Sequence, residues 1–378
     1  MRIAYFVQDL VDPAVSRRVA MLRQGGAEIV LYGFCRADEP PVQVAGVAAR
    51  PIGRSHAGRL AGRAALVLRR RLTVSSWAAD SRGADIFVAR NLEMLVLAAA
   101  ARDRFAPGAA LVYELLDIHG SLLGDGVASQ VMRGIERRLL ARSAAIIISS
   151  PAFERDYLSR FHPGHPPGIL VENKVFSAAG APPDRVPPAN GPPWRIGWFG
   201  MIRCRRSLEC LATLARRHPG LIEVDIRGRL AEDALGESMA LLESTPGLRY
   251  HGPYDYFHDL SHIYGEVHFV WAIDFFEAGR NSAMLLPNRI YEGGLHGAVP
   301  IALEEVETGR WLAARGMGLI LSGPVEEAAE ALLSGMTAER YQAAFRSQRD
   351  LDRAGFLWSE RDSLGLVDRL RAEARGRG

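Results

Sequence analysis

Residues 286–301, LPNRIYEGGLHGAVPI, hold the chain's most chemically suggestive spacing. Asn288 and Glu292 stand four apart, so on a helix both project from one face. Pro287 suits the first position of that helix, where its fixed φ helps and its missing N–H costs nothing. The free N–H groups and the dipole of a helix N-terminus attract anions, phosphates among them. A carboxylate one turn further in, Glu292, can accept two hydroxyl hydrogen bonds of the kind a ribose offers. Gly293, Gly294 and Gly297 weaken the helix, and close approach by another backbone or a ligand would compensate. The apolar run 298–303 then reads as a strand. The competing reading is an ordinary amphipathic helix with Glu292 solvated.

A second feature is residues 50–79, with seven arginines and no acid. Leu60, Ala64, Val67, Leu68, Leu72 and Trp77 give it an apolar component. A basic amphipathic helix suits an anionic membrane surface, where each cation is worth about 1 kcal/mol. Arg69, Arg70 and Arg71 are its candidate membrane-binding residues. A solvated helix or a contact with an acidic protein is the alternative. Nucleic acid is not expected, because no recognised binding motif appears and aromatics do not interleave with the arginines.

These residues need a scaffold. At 378 residues the chain exceeds a single core. Hydrophobic content of 48% and charged content of 24% fit a soluble globular protein. No apolar run approaches a membrane span, and the chain opens on the strand-like RIAYFV, leaving no room for a secretory signal. Three scattered cysteines build neither a disulfide framework nor a metal cluster. A cytoplasmic setting is the expectation. The net charge of +3 is small, so local charge carries the argument.

Strand and helix patterns alternate from 2–7 (strand) and 13–24 (helix) onward, through a helix at 131–142 and strands at 144–149 and 168–171. Apolar runs such as AAIII belong to strands buried on both faces, hence to a parallel sheet covered by helices. Residues 181–193, APPDRVPPANGPP, contain six prolines and read as a linker. Alternation then restarts with a strand at 194–199. The expected layout is a first domain at 1–180, the linker, a second domain at 194–352, and a charged helix at 353–375 that packs back on the first domain. Two doubly wound domains would face a central cleft at their strands' carboxyl ends, where ligands bind in such folds. The first βα turn, VQDLVDP, lacks Gly-x-Gly-x-x-Gly, and no phosphate-binding Gly-x-x-x-x-Gly-Lys-Ser/Thr run exists.

The chain resembles the GT-B glycosyltransferases of bacterial exopolysaccharide and lipopolysaccharide synthesis, over nearly its whole length. DPAVSRRVAMLRQGGAEIVLYGF resembles that family's first helix and second strand. DIFVARNLEMLVLAAAA, LVYELLDIHG and VENKV resemble its later strand ends. IGWFGMIRCRRSL resembles its Gly-Arg-x-x-x-x-Lys-Gly phosphate loop, and LPNRIYEGGLHGAVP its donor-nucleotide helix. The resemblance implies an α/β GT-B fold of two Rossmann-like domains. There are departures. Glu292 matches the second glutamate of retaining members, but the first falls on Met284, with Glu277 out of register nearby. Leu116 stands where the family has histidine, and Met201 where it has the loop arginine. Retaining or inverting outcome is left open.

Under this resemblance the implied activity is hexosyl transfer from a nucleoside diphosphate sugar to a glycan acceptor, polyprenyl-linked, at the inner face of the plasma membrane. No metal and no cofactor beyond the donor substrate are implied, since arginines and helix dipoles stabilise the leaving diphosphate. Gly200, Arg203, Arg206 and Arg289 are the candidate phosphate contacts, Tyr254 the base-stacking ring, Asn281 and Asn288 sugar or phosphate contacts, and Glu292 the ribose contact. Asp117 is the candidate base for the acceptor hydroxyl, with His119 second. A GT-B-like sugar-nucleotide 2-epimerase and a catalytically inactive GT-B binding module are the alternatives.

Overall fold

The computed structural model describes residues 1–55, 60–176, 185–231 and 235–376. The chain forms two compact units, Met1–Glu172 with Ser359–Gly378, and Asn173–Trp358.

The first unit contains β1 (Arg2–Val7), α1 (Pro13–Gln24), β2 (Glu28–Cys35), β3 (Gln43–Val44), β4 (Val47–Arg54), α2 (Leu60–Leu72), β5 (Ile86–Arg90), α3 (Asn91–Phe105), β6 (Ala110–Leu115), α4 (Gly120–Leu123), α5 (Val127–Leu140), β7 (Ala145–Ile148), α6 (Ser159–Phe161) and β8 (Gly168–Leu170). Its sheet runs β3-β4-β2-β1-β5-β6-β7-β8. Only the β3–β4 pair is antiparallel. The central strands are covered on both faces: Ala4, Tyr5, Phe87, Val112 and Ile146 are all buried. That is why they read as unbroken apolar runs. The chain leaves β1 toward β2 and returns to β5 on its other side, so the order reverses between β1 and β5.

The second unit contains β9 (Val175–Phe176), β10 (Trp194–Ile202), α7 (Arg205–Arg217), β11 (Ile222–Leu230), α8 (Leu235–Ser244), β12 (Leu248–Tyr250), α9 (Leu260–Gly265), β13 (Phe269–Trp271), α10 (Asn281–Met284), α11 (Asn288–His296), β14 (Val299–Leu303), α12 (Glu307–Ala313), β15 (Leu319–Leu321), α13 (Val325–Ser334), α14 (Ala338–Arg349) and β16 (Leu357–Trp358). Its parallel sheet runs β12-β11-β10-β13-β14-β15. Here the order reverses between β10 and β13. One face of the sheet packs α7 and α13 around Trp194, Trp198 and Trp271. The other packs α9 and α11 around Phe199, Tyr264 and Ile290. The last helix, α15 (Glu360–Arg375), belongs to the first unit, where the Ser363 hydroxyl bonds the Gln24 amide oxygen at 2.8 Å.

Several expected boundaries move. The first unit ends at Glu172, not at residue 180, and the second begins before the proline run. Arg185 gives the reason. Its buried guanidinium donates to the carbonyls of Leu295, Gln348 and Arg349 at 3.2, 2.7 and 3.0 Å. These carbonyls lie in the last turns of α11 and α14, where a cation is well placed. The proline run is thereby held by the second unit from Arg185 on, while residues 181–184 of the expected linker lie outside the described residues. Residues 50–79 are not one helix: Val47–Arg54 is a strand, Leu60–Leu72 is the α-helix, and a short 3-10 turn follows at Val74–Ser76. The final helix starts at Glu360, not at 353. The Ser359 hydroxyl accepts from the Asp362 N–H, and the Asp362 carboxylate accepts from the Ser359 N–H, a reciprocal cap. Residues 357–358 instead pair with β9 as a strand. The helix expected at 131–142 starts earlier, at Val127.

Among the described residues no helix is long and apolar enough to cross a membrane.

Candidate functional site

The second unit gathers most of the candidate residues at the reversal between β10 and β13. The carboxyl ends of these strands feed two loops, 203–204 before α7 and 272–280 before α10. Arg203 on the first loop pairs with Asp274 on the second at 3.1 Å and lies 4.8 Å from the Phe276 ring centroid. Gly200 sits just upstream with φ +113° and open space where a Cβ would be. Its partner across the ladder, Gly228, has φ +137°, and a Cβ there would fall 1.7 Å from the Gly200 carbonyl oxygen. Two glycines are therefore required for the strands to run on together. Gly228 was not singled out from the sequence, although its place in IRGRL mirrors that of Gly200 in WFGMI.

α11 lies on the other face of the same sheet. Its residues 289–295 are buried. The glycines that weaken it make room for protein, not ligand. A Cβ on Gly293 would meet Val270 Cγ1 at 2.8 Å, and one on Gly294 would meet the Phe356 ring at 2.3 Å. Glu292 is almost fully enclosed and accepts the Tyr264 hydroxyl at 2.6 Å. Burial first, and then the Glu292 carboxylate, push the Tyr264 phenol well above its ordinary value, so it remains a donor. Tyr264 was not anticipated. The signal available was a tyrosine in the DLSHIYG helix pattern facing an apolar layer. Arg289 is nine-tenths buried. Its Nη1 reaches the Phe199 carbonyl at 3.3 Å, and its Nε makes no hydrogen bond among the described residues. Tyr254 is half-buried and packs on the same layer. The Tyr264 ring meets Phe199 edge-on at 4.9 Å, so Tyr264 with Glu292, Arg289 on the Phe199 carbonyl and Tyr254 on the same apolar layer are gathered around one core. A buried cation with an unpaired donor beside a buried carboxylate suits a ligand bearing both anionic oxygens and hydroxyls.

The other expected contacts divide. Asn281 is buried at the start of α10, and Asn288 is half-buried at the start of α11. Arg206 is not gathered with the cluster. It projects from α7 to form a two-pronged pair with Glu326 of α13 at 2.9 and 3.1 Å, over the Phe275 ring. α7 and α13 pack on the opposite face of the sheet from α11, so a structural ion pair occupies this arginine.

In the first unit, Asp117 is exposed just beyond the end of β6. His119 accepts the Ser121 N–H at 3.2 Å through Nδ1 and caps α4. Behind them lies a buried network that the sequence reading passed over. Glu114 accepts the Tyr5 hydroxyl at 2.5 Å, Arg18 Nε at 2.6 Å and Arg90 Nε at 2.9 Å. Burial alone would raise the Glu114 carboxyl, but Arg90 and Arg18 hold it down at about 2. An acid inside the apolar strand ALVYEL was the available signal. This network braces the ends of β1, β5 and β6, from which the chain continues to Asp117. Arg69 and Arg71 are exposed on α2, whereas Arg70 is half-buried with its Nε enclosed and unpartnered among the described residues. Of the expected trio, Arg70 is thus less exposed than its two neighbours.

No protein-family model matches the chain. It is 40% identical over 376 residues to the succinoglycan biosynthesis protein ExoL of Rhizobium meliloti (strain 1021), covering 98% of this chain and 93% of that protein. Among solved structures, Anabaena HepE in complex with UDP-glucose matches over all of both chains, at 14% identity and a TM-score of 0.67. Sucrose-phosphate synthase from Thermosynechococcus elongatus also matches over all of both chains, at 12% identity and a TM-score of 0.72. The lipopolysaccharide outer core galactosyltransferase WaaB matches over 98% of this chain and 99% of its own, at 12% identity and a TM-score of 0.62. With two doubly wound units and these relatives, the chain has the GT-B glycosyltransferase fold and belongs to the family of the succinoglycan biosynthesis protein ExoL.

Proposed function

We propose that this chain transfers a hexosyl group from a nucleoside diphosphate sugar to a hydroxyl of a polyprenyl-linked glycan in surface polysaccharide synthesis. The observation that carries the reading is the buried Arg289 of α11, whose Nε has no partner among the described residues, beside the pair that Tyr264 of α9 makes with Glu292 of α11. The polysaccharide role of the ExoL relative and the UDP-glucose held by HepE support it. In the proposed step the acceptor oxygen bonds to the anomeric carbon. The bond from that carbon to the β-phosphate oxygen breaks, and the electron pair leaves on the diphosphate. Arg289, Arg203 and the N-terminus of α11 stabilise the developing charge. Asp117 takes the acceptor proton. No metal or further cofactor has a part in this step.

Thermal shift with UDP, GDP, ADP and TDP tests the reading. One nucleotide at about 100 times its Kd should raise Tm by about 5–10 °C, and the matching sugar nucleotide should then be turned over. Absence of stabilisation by all four would sink it.

Membrane attachment at the inner face of the plasma membrane is part of the proposal. On α2, exposed Leu68 and Leu72 flank exposed Arg69 and Arg71, which places aliphatic and cationic groups together. Arg69→Gln with Arg71→Gln should cost roughly 2 kcal/mol of attraction to anionic vesicles. Raised salt should weaken the wild type likewise, because the Debye length falls from about 10 Å at 0.1 M to about 3 Å at 1 M. Activity on a short soluble acceptor should survive, and activity on a lipid-linked acceptor should fall. Equal sedimentation of variant and wild type would reduce α2 to a solvated helix.

A further inference from the structure

The first unit presents a second basic, apolar face, on α5. Val127, Val131 and Ile135 follow one another at intervals of four, with 77%, 56% and 40% exposure. That spacing puts them on one side of the helix, as a stripe that a globular protein normally turns inward. The opposite side of α5 is held by polar anchors. Glu136 is fully buried and accepts the Tyr113 hydroxyl at 2.9 Å, with His162 Nε2 at 2.8 Å and the Tyr157 hydroxyl also bonded. Arg133 donates to the carbonyls of Leu122 and Gly124, each at 2.7 Å. These anchors fix which side faces out. Toward its end the stripe runs into Arg137 and Arg138, with Arg142 just beyond, all exposed. Glu136 is the only acid of α5, and it is enclosed. The nearest exposed carboxylate in sequence, Asp125, precedes the helix.

α5 is also continuous with α2. A groove between them is lined by Arg71 of α2, Val96 and Ala99 of α3, Ile135 and Arg138 of α5, and Arg142. The one carboxylate in it, Asp103, is taken by Arg142 and Arg102. The walls are therefore cationic and the floor apolar. A second copy of the chain fits this face poorly, since a two-fold pairing would set these arginines against their own copies.

We propose that α5 and α2 together form one surface for an anionic lipid bilayer. Val127, Val131 and Ile135 enter the boundary between headgroups and acyl chains, while Arg71 and Arg138 meet lipid phosphates. This rests on the reading of α2 as a membrane-docking helix and adds a second, aliphatic contact to it.

The test uses the full chain with phosphatidylcholine vesicles, with and without phosphatidylglycerol. Val131→Ser with Ile135→Ser changes only exposed positions and should lower the partition coefficient on anionic vesicles by about tenfold or more. A direct readout is available because Cys35, Cys204 and Cys210 are all buried. Val131→Cys then carries an environment-sensitive dye, with the same labelled protein on vesicles of phosphatidylcholine alone as control. Dye emission should shift to the blue with anionic vesicles and stay constant in the control. Unchanged partition with an unshifted dye, while Arg69→Gln with Arg71→Gln still weakens binding, would confine docking to α2 and overturn this inference alone. A vesicle-free dimer of the wild type that Val131→Ser with Ile135→Ser converts to monomer would give the stripe to a second copy and also overturn it. Lack of turnover of any sugar nucleotide would remove the enzymatic reading without altering either vesicle result.

Discussion

Asp117→Asn is expected to lower turnover by about 10²-fold or more, roughly 2.7 kcal/mol of transition-state stabilisation. The substitution keeps the shape, but it turns one acceptor oxygen into an NH2 donor and removes the charge and the basicity. Asp117 is exposed beyond β6, so a substrate hydroxyl can reach it, and the braced network of Glu114, Arg18, Arg90 and Tyr5 lies behind that strand end. The affinity for donor should change little, so kcat falls and the donor KM holds. His119→Asn is the companion variant. Asparagine is a good N-cap, so α4 is retained, and turnover should stay near normal. The reverse pattern, an active Asp117→Asn and an inactive His119→Asn, would move the base to His119.

Loss of Glu292 should act on binding. Glu292→Ala is expected to weaken the nucleotide by about 1–3 kcal/mol, about 5- to 150-fold, the scale of lost charged hydrogen bonds. It also strands the buried Tyr264 hydroxyl, which now donates to Glu292 at 2.6 Å. An unpaired buried hydroxyl costs stability of about 1–3 kcal/mol by itself. Glu292→Gln separates the two effects, because the amide oxygen still accepts from Tyr264 while the charge is gone. Calorimetry on the folded Glu292→Gln protein should show weakened nucleotide binding with a nearly unchanged Tm. Wild-type affinity in that variant would make Glu292 an ordinary buried partner of Tyr264.

The fold was legible because its signals are local and repeated. Alternating apolar strands and amphipathic helices, with a restart after the prolines, are enough to name two doubly wound sheets. Local patterns also placed Asn288 and Glu292 on one short helix and Gly200 near a strand end, but Pro287 is the extended cap before that helix and not its first residue. They placed the boundaries less well. A Ser-x-x-Asp cap at Ser359, and the pairing of Leu357 and Trp358 with β9, shortened the last helix. The Arg185 contacts with carbonyls far along the chain drew the prolines into the second unit.

The sequence by itself determined which residue types stand at the strand ends, and hence the class of ligand they can address. Periodicity and charge are carried by neighbours in the chain, so they can be read without coordinates. Partner choice is not carried that way. Arg203, Arg206 and Arg289 look alike as residues, yet the first pairs with Asp274, the second with Glu326, and the third keeps a buried Nε with no partner among the described residues. In the same way Arg70 turns inward between two exposed arginines, and Val127, Val131 and Ile135 turn outward because Glu136 and Arg133 are anchored on the far side of α5. Only tertiary structure decided these outcomes, since each depends on which carboxylate, carbonyl or hydroxyl from a distant segment satisfies a side chain removed from water.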